Sequence, residues 1–224
     1  MTSRPVAGLP GTARPPTTVF VTGTGTDVGK TWWCAALARH LRNIGVAVAA
    51  RKPVQSGEPG SPTDAEVLAA ATNEDPILVC LPARSYLVAW APPFAAAQLG
   101  APPFTVADLA AELVWPDRVQ VGLVEGAGGP RSPISADGDN VDLARAIAPD
   151  VIVVVADAGL GTINATRLSV AAFAGVNAPI VVALNRFDDS PLHRRNHEYL
   201  VNRAGLDVVT DPVELAHVLE SRQA

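Results

Sequence analysis

The segment Gly23-Thr-Gly-Thr-Asp-Val-Gly-Lys-Thr31 holds the residue types that bind a triphosphate. Glycines let backbone N–H groups come close to an anion, a lysine supplies compact positive charge, and the hydroxyl after it can ligate Mg²⁺. The usual spacing is G-x-x-x-x-G-K-[ST]. Counting back from Gly29 puts Thr24 at the first glycine, so the loop that starts at Gly23 is one residue longer. Its Gly-Lys-Thr end is intact, follows a β-rich run (Thr18–Thr22) and opens a stretch of helical spacing from Lys30 to about Asn43. In that setting Lys30 bridges the β- and γ-phosphates and Thr31 reaches the metal.

A second group lies just beyond the next strand-like run, Val46–Ala50, in Arg51-Lys-Pro-Val-Gln-Ser-Gly57. A strand-end lysine beside a phosphate loop can stabilise charge on a transferring phosphoryl group. Of 17 basic residues, 15 are arginine, and the two lysines are Lys30 and Lys52. That bias marks both as places where a compact ammonium is wanted. The third group is acidic. Glu125 ends a strand before Gly126-Ala-Gly-Gly129, and Asp64 stands at a helix start. A carboxylate at the end of a buried strand is costly unless solvated, paired or on a metal. Mg²⁺ in phosphate sites takes one or two carboxylates plus phosphate oxygens. Thr31, Asp64 and Glu125 are therefore the candidate metal ligands, with helix capping an equal alternative for Asp64.

Other patterns read as structure. His193 and His197 are four apart but lack an H-E-x-x-H, so they fit a solvated helix face, as do Arg194 and Arg195. Asp137-Gly-Asp-Asn140 reads as a turn, and the four tryptophans as packing residues.

Several elements must place these groups. Apolar runs at Val119–Val124, Val151–Ala156 and Ile180–Leu184 join Thr18–Thr22 and Val46–Ala50 as strands. Helical stretches Asn140–Ile147, Thr162–Ala174 and Pro191–Ala204 alternate with them. Strands apolar on both faces, alternating with helices, imply a buried parallel sheet with functional loops at its carboxyl ends. The fold expected is α/β: a three-layer sandwich of the P-loop NTPase type with a mostly parallel central sheet. The Pro-punctuated middle, 57–117, yields Thr63–Ala71 and Thr105–Val114 as helices opening at threonine caps. Residues 1–16, rich in Pro, Gly and Thr, read as a flexible tail before a single domain over 17–224.

Composition narrows the classes. A net charge of −5 with scattered arginines gives no basic stripe for nucleic acid. No run of 18 apolar residues suggests a membrane span, and no apolar leader suggests export. Cys34 and Cys80 make no C-x-x-C, so a reducing cytoplasm is the expected compartment.

Five ordered motifs carry a resemblance: Val21–Thr31, Lys52-Pro-Val-Gln-Ser-Gly57, Thr63-Asp64-Ala65, Glu125–Gly129 and Leu160-Gly-Thr-Ile-Asn164. Together, across about residues 18–186, they resemble the dethiobiotin synthetase family. The resemblance implies an ATP- and Mg²⁺-dependent cyclo-ligase. Such an enzyme carboxylates 7,8-diaminononanoate with CO₂, phosphorylates the carbamate and closes a cyclic urea, through a carbamic–phosphoric anhydride.

It also implies roles. Lys30 and Lys52 are catalytic. Asp27, Val28, Gly29, Lys30, Thr31, Trp32, Asp64, Glu125, Gly126, Ala127, Gly128 and Asn185 bind the nucleotide, Asn185 as a base contact. Thr26, Lys52, Ser56, Gly126, Gly128 and Gly129 bind the substrate. The family is homodimeric with the substrate site at the interface, so Gly161, Thr162 and Asn164 would receive the substrate carboxylate from the second subunit.

Two positions depart from the pattern. Gly25 stands where many members carry an acid, and the late Pro/Gly turn that reads the base is not recognisable in Gly205–Pro212. ATP therefore follows from the resemblance, and other nucleoside triphosphates stay open. A dimeric switch ATPase of the partition or positioning type is the alternative from another class. Those proteins carry a second lysine five residues before the invariant one, where this chain has Gly25. Amidotransferase-type synthetases would add a glutaminase domain with a cysteine nucleophile, and a bare nucleotide-binding module would leave Lys52 and Glu125 without a task.

Overall fold

The structure, a computed structural model, describes residues 14–222. Most of the expected tail, residues 1–13, lies outside them. Arg14 at its inner end is tied down, donating to Asp150 Oδ2 at 2.7 Å.

In chain order the elements are β1 (Thr17–Gly23), α1 (Lys30–Asn43), β2 (Val48–Arg51), β3 (Gln55–Ser56), α2 (Asp64–Thr72), α3 (Pro76–Val79), β4 (Ser85–Tyr86), α4 (Pro92–Gln98) and α5 (Val106–Ala111). Then follow β5 (Val121–Glu125), α6 (Asn140–Ile147), β6 (Val151–Asp157), α7 (Thr162–Ala172), β7 (Ile180–Asn185), α8 (Pro191–Asn202), β8 (Asp207–Val209) and α9 (Pro212–Ser221). Six strands form one sheet in the order β2-β5-β1-β6-β7-β8, and all of its pairings are parallel. A small parallel pair, β3 with β4, stands apart.

Strand periodicity explains the layers. Alternate side chains point to opposite faces of a sheet, and here both faces are covered. Val19, Val21, Val153 and Val155 pack with α1, α2 and α9 on one side. Phe20, Ile152 and Val154 pack with α5 and α6 on the other. A third cluster holds Val182 and Leu184 of β7 against Leu200 of α8.

The five strands read from the sequence are all present, with no end moved by more than two residues. The sixth strand and α9 were not expected, and α4 opens at Pro92-Pro93, which read as punctuation. Proline is at home in the first turn of a helix, where its missing N–H is not needed. Both threonine caps form capping boxes, Thr63 with Glu66 and Thr105 with Asp108. The tryptophans divide. Trp33 and Trp115 are buried, whereas Trp32 and Trp90 are about half exposed, so packing accounts for only two of the four.

Candidate functional site

The carboxyl ends of β1, β2 and β5 bring the expected groups together. Parallel pairing sets Val21 of β1 level with Glu125 of β5, and Arg51 of β2 level with Val124. Lys52, the next residue after β2, therefore comes level with Glu125. The first turn of α1 delivers Lys30 and Thr31, and the first residue of α2 delivers Asp64.

Thr31 Oγ1 lies 2.8 Å from both Asp64 Oδ1 and Glu125 Oε1. Lys52 Nζ lies 2.6 Å from Glu125 Oε1 and 2.7 Å from Asp64 Oδ2, and donates to the Gly126 carbonyl at 3.1 Å. Lys52 and Glu125 are buried, with 1% and 0% exposure. Burial by itself would lower the Lys52 pKa, but the Glu125 and Asp64 carboxylates outweigh it and hold the ammonium well above the ordinary lysine value. Burial would likewise raise Asp64, and Lys52 overrides it, keeping that carboxyl below its usual range. Lys30 goes the other way: burial first, then the charge of Lys52, lower it. Its Nζ donates to the Gly25 carbonyl at 2.8 Å.

The oxygens left over bear on a metal. Glu125 Oε2 is buried and makes no hydrogen bond of ordinary geometry. Thr31, Asp64 and Glu125 present hydroxyl and carboxylate oxygens, the hard donors Mg²⁺ prefers. Among the described residues no group of three or more His, Cys, Asp or Glu converges on one point.

An open cavity of about 840 Å³ adjoins this cluster. Thr26, Asp27, Gly29, Lys30 and Thr31 form one wall. Lys52, Ser56, Asp64, Ala127, Gly128, Ser132, Arg186 and the Ala89–Pro92 segment also line it. Ser56 donates to the Trp90 carbonyl at 2.6 Å, joining β3 to that segment.

The Glu125–Gly129 loop is shaped by Asn140 at the start of α6, whose amide donates to the Ala127 and Gly129 carbonyls at 2.7 Å each. A Cβ on Gly126 would come within 2.1 Å of Asn140 Oδ1, so only glycine fits. Gly129 N in turn donates to Ser132 Oγ at 2.9 Å.

Other expected residues sit apart. Gly161, Thr162 and Asn164, at the start of α7, do not line the cavity. Trp32 is on the outward side of α1 and does not line it either. Asn185 is nearly buried and its amide donates to the Val28 carbonyl at 2.9 Å. His193 pairs with Asp188 and packs at a tilt against Phe187 with 15% of its side chain exposed, so it is part-buried and not on the solvated face expected.

Sequence reading missed Arg186, Trp90 and Ser132, which line the cavity, and Asn140, which shapes the loop beside it. Arg186 was within reach, because it directly follows a strand end. Among the described residues no helix is long and apolar enough to cross a membrane.

Comparison with known proteins agrees with this architecture. A family model described as an AAA domain matches residues 17–214. The ATP-dependent dethiobiotin synthetase of Rhodococcus jostii is 38% identical over 197 residues, covering 85% of this chain and 84% of that protein. The enzyme of the same name from Anaeromyxobacter dehalogenans is 39% identical over 170 residues, 75% of this chain and 76% of that one.

Solved structures share the fold at low identity. A plasmid partition protein from Borrelia burgdorferi superposes with a TM-score of 0.53 at 13% identity, covering 88% of this chain and 91% of that one. A nucleotide-binding protein from Archaeoglobus fulgidus, in complex with ADP, gives 0.51 at 14% identity over 88% and 81%. The sheet is thus that of the P-loop NTPases, and the chain belongs to the dethiobiotin synthetase family.

Proposed function

We propose that this protein is an ATP- and Mg²⁺-dependent dethiobiotin synthetase, converting 7,8-diaminononanoate and CO₂ to dethiobiotin with release of ADP and phosphate. The observation that carries the reading is the Lys52 ammonium, held between Glu125 and Asp64 beside the P-loop hydroxyl of Thr31. A nucleotide-binding module has no need of a second buried lysine there. The relatives named as ATP-dependent dethiobiotin synthetases support the choice of substrates.

One amine of the substrate adds to CO₂, forming an N–C bond and losing a proton, to give a carbamate. A carbamate oxygen attacks the γ-phosphorus and ADP leaves, giving the carbamic–phosphoric anhydride. The second amine attacks the carbonyl carbon, phosphate departs and the cyclic urea closes. These steps ask for positioning and charge neutralisation more than for a covalent nucleophile.

Lys52 suits that demand. Its raised pKa keeps it an ammonium, so it steadies the carbamate and the phosphoryl oxygens and does not serve as a base. Lys30 and the N–H groups of Asp27–Thr31 cradle the phosphates, with Gly126, Ala127 and Gly128 alongside. Thr31, Asp64 and Glu125 would hold Mg²⁺, which supplies charge neutralisation on the triphosphate. Thr26, Ser56 and Gly128, which line the cavity, would face the diamine, with Gly126 and Gly129 in the same loop as Gly128.

The α7 start, with Gly161, Thr162 and Asn164, would serve the site of a second copy in a homodimer. A cytoplasmic location accords with the free thiols of Cys34 and Cys80.

The test is turnover. Protein, 7,8-diaminononanoate, bicarbonate, Mg²⁺ and ATP should yield dethiobiotin by mass spectrometry, with diamine-dependent phosphate release. Absence of both would overturn the assignment. Substituting CTP, GTP and UTP in the same mixture reads the base preference.

A further inference from the structure

The P-loop is tied to the end of β7 by two consecutive residues acting on two consecutive carbonyls. Asn185 Nδ2 donates to the Val28 carbonyl at 2.9 Å, and Arg186 Nη2 donates to the Asp27 carbonyl at 3.0 Å. The Arg186 guanidinium is fixed from behind, its Nη1 lying 2.6 Å from Asp157 Oδ2 at the end of β6. Asp157 Oδ1 in turn accepts from Gly159 N at 2.9 Å.

Arg186 holds this pose with φ +57°, a left-handed conformation that a residue with a Cβ adopts at a cost. Such conformations persist where the surroundings demand them, and they cluster at functional sites. Asn185 packs so tightly that a Cβ on Gly29 would fall 2.0 Å from its Nδ2, and Gly29 itself is left-handed at φ +98°.

The orientation of these carbonyls matters because a trans peptide is planar, with its C=O and N–H pointing in opposite directions. Pulling the Asp27 oxygen toward β7 turns the Val28 N–H away from it. Pulling the Val28 oxygen does the same to the Gly29 N–H. Among the described residues neither N–H donates to a protein acceptor. Asp27 and Gly29 border the cavity that Lys30 and Thr31 also line.

We infer that Asn185 and Arg186 are positioning residues of the triphosphate site, orienting the Val28 and Gly29 N–H groups toward the phosphates. This gives Asn185 a task other than touching the base, and gives Arg186 one that its place on the surface conceals. The inference rests on the nucleotide-binding reading above. It concerns the phosphate end of the ligand, so it can be tested with a ligand that has no base at all.

The experiment is equilibrium binding to the full chain by calorimetry, with Mg·ATP and with Mg·tripolyphosphate. Arg186→Ala is the main variant, because the side chain is largely exposed and contributes little to the core. It should weaken both ligands by the same factor, about tenfold, the scale of one lost charge-assisted hydrogen bond. Arg186→Lys, which can reach one anchor but not both, should fall between the two.

Asn185→Asp is nearly isosteric but meets the Val28 carbonyl with an acceptor in place of a donor. It should weaken both ligands too, with melting curves recorded to show that the variant is folded. In turnover, Arg186→Ala should raise KM for nucleotide and leave kcat at saturation near the parent value.

Unchanged affinity for both ligands in Arg186→Ala would overturn the inference. A loss confined to ATP, with tripolyphosphate unaffected, would also overturn it and make Arg186 a base or ribose contact. Failure of the parent protein to bind either ligand would instead bring down the nucleotide-binding reading itself.

Discussion

At the residue scale the site is built round one cation, Lys52, held by the Glu125 and Asp64 carboxylates. Lys52→Ala leaves Glu125 buried without its cation. In comparable buried pairs that change costs about 3–5 kcal/mol. The melting temperature should then fall by roughly 6–20 °C, at about 2–4 °C per kcal/mol for a chain of this size. Differential scanning calorimetry in Mg²⁺-free buffer checks it, and an unchanged melting temperature would mean that the pair contributes nothing to folding.

Lys30 makes a different prediction. Its pKa is lowered by burial and by Lys52, and a polyphosphate beside it would raise it again. Nucleotide binding should therefore take up protons in the window between the lowered value and the ordinary lysine value. Affinity should fall as pH rises through that window. Binding enthalpies in two buffers of different ionisation enthalpy measure the uptake, and none would separate Lys30 from the phosphates. The thiols should be silent: burial pushes Cys80 up to about 12 and Cys34 well above its usual range. Iodoacetamide at neutral pH should label neither in the native protein and both after denaturation.

Lys30, Thr31, Lys52, Asp64 and Glu125 were legible in the sequence because each has a distinctive type at a strand end or helix start. Arg186 also follows a strand end, but its type did not single it out: it is one arginine among 15, and its grip is on a carbonyl more than 150 residues earlier.

At the element scale, local signals were readable where they were dense. The strands β1, β2, β5, β6 and β7 are short apolar runs buried on both faces, and their composition declared them. The threonine caps at Thr63 and Thr105 were equally plain, because a hydroxyl followed three residues later by an acid has one favoured use. Thr63→Ala should lower the melting temperature by about 2–4 °C, the worth of one helix cap of about 1 kcal/mol. Because α2 begins with Asp64, the same change should weaken Mg²⁺-dependent nucleotide binding. Unaltered binding would show that the cap supports the helix but not the site.

What escaped was sparse or ambiguous. β8 is three residues long and begins with an exposed aspartate, so little apolar pattern marks it. α4 and α9 open on proline, which reads as a break in the chain even though the Ala-, Leu- and Glu-rich residues that follow are good helix formers. Trp90 sat in that unread stretch, and its place in the lining of the cavity depends on the pairing of β3 with β4.

At the scale of the whole molecule, α7 stands apart from the cavity of its own chain, and the proposed homodimer would bring it to the cavity of a second copy. Leu160 is 92% and Leu168 is 65% exposed, before and within α7, and the α7 start lies off the cavity of its own chain. In the proposed homodimer these two leucines would be covered by the second copy. Leu168→Glu should shift the protein toward monomer in light scattering and lower turnover with it. A variant that stays dimeric and active would remove α7 from the proposed interface.

The sheet order has a consequence for how the chain is made. β1 hydrogen-bonds to β5 and β6, and β2 hydrogen-bonds to β5. Neither early strand has a sheet neighbour until Glu125 has been synthesised, and β1 lacks its second until Asp157. The phosphate-binding strand is thus left as an unpaired apolar segment while the chain from Thr24 to Glu125 is made. Pairings so distant in sequence form slowly, and exposed strand edges invite aggregation meanwhile. Nascent chains stalled before Glu125 should remain protease-sensitive throughout, with resistance appearing only once β6 has cleared the exit tunnel. In the living cell, shielding by a chaperone would matter most over that interval.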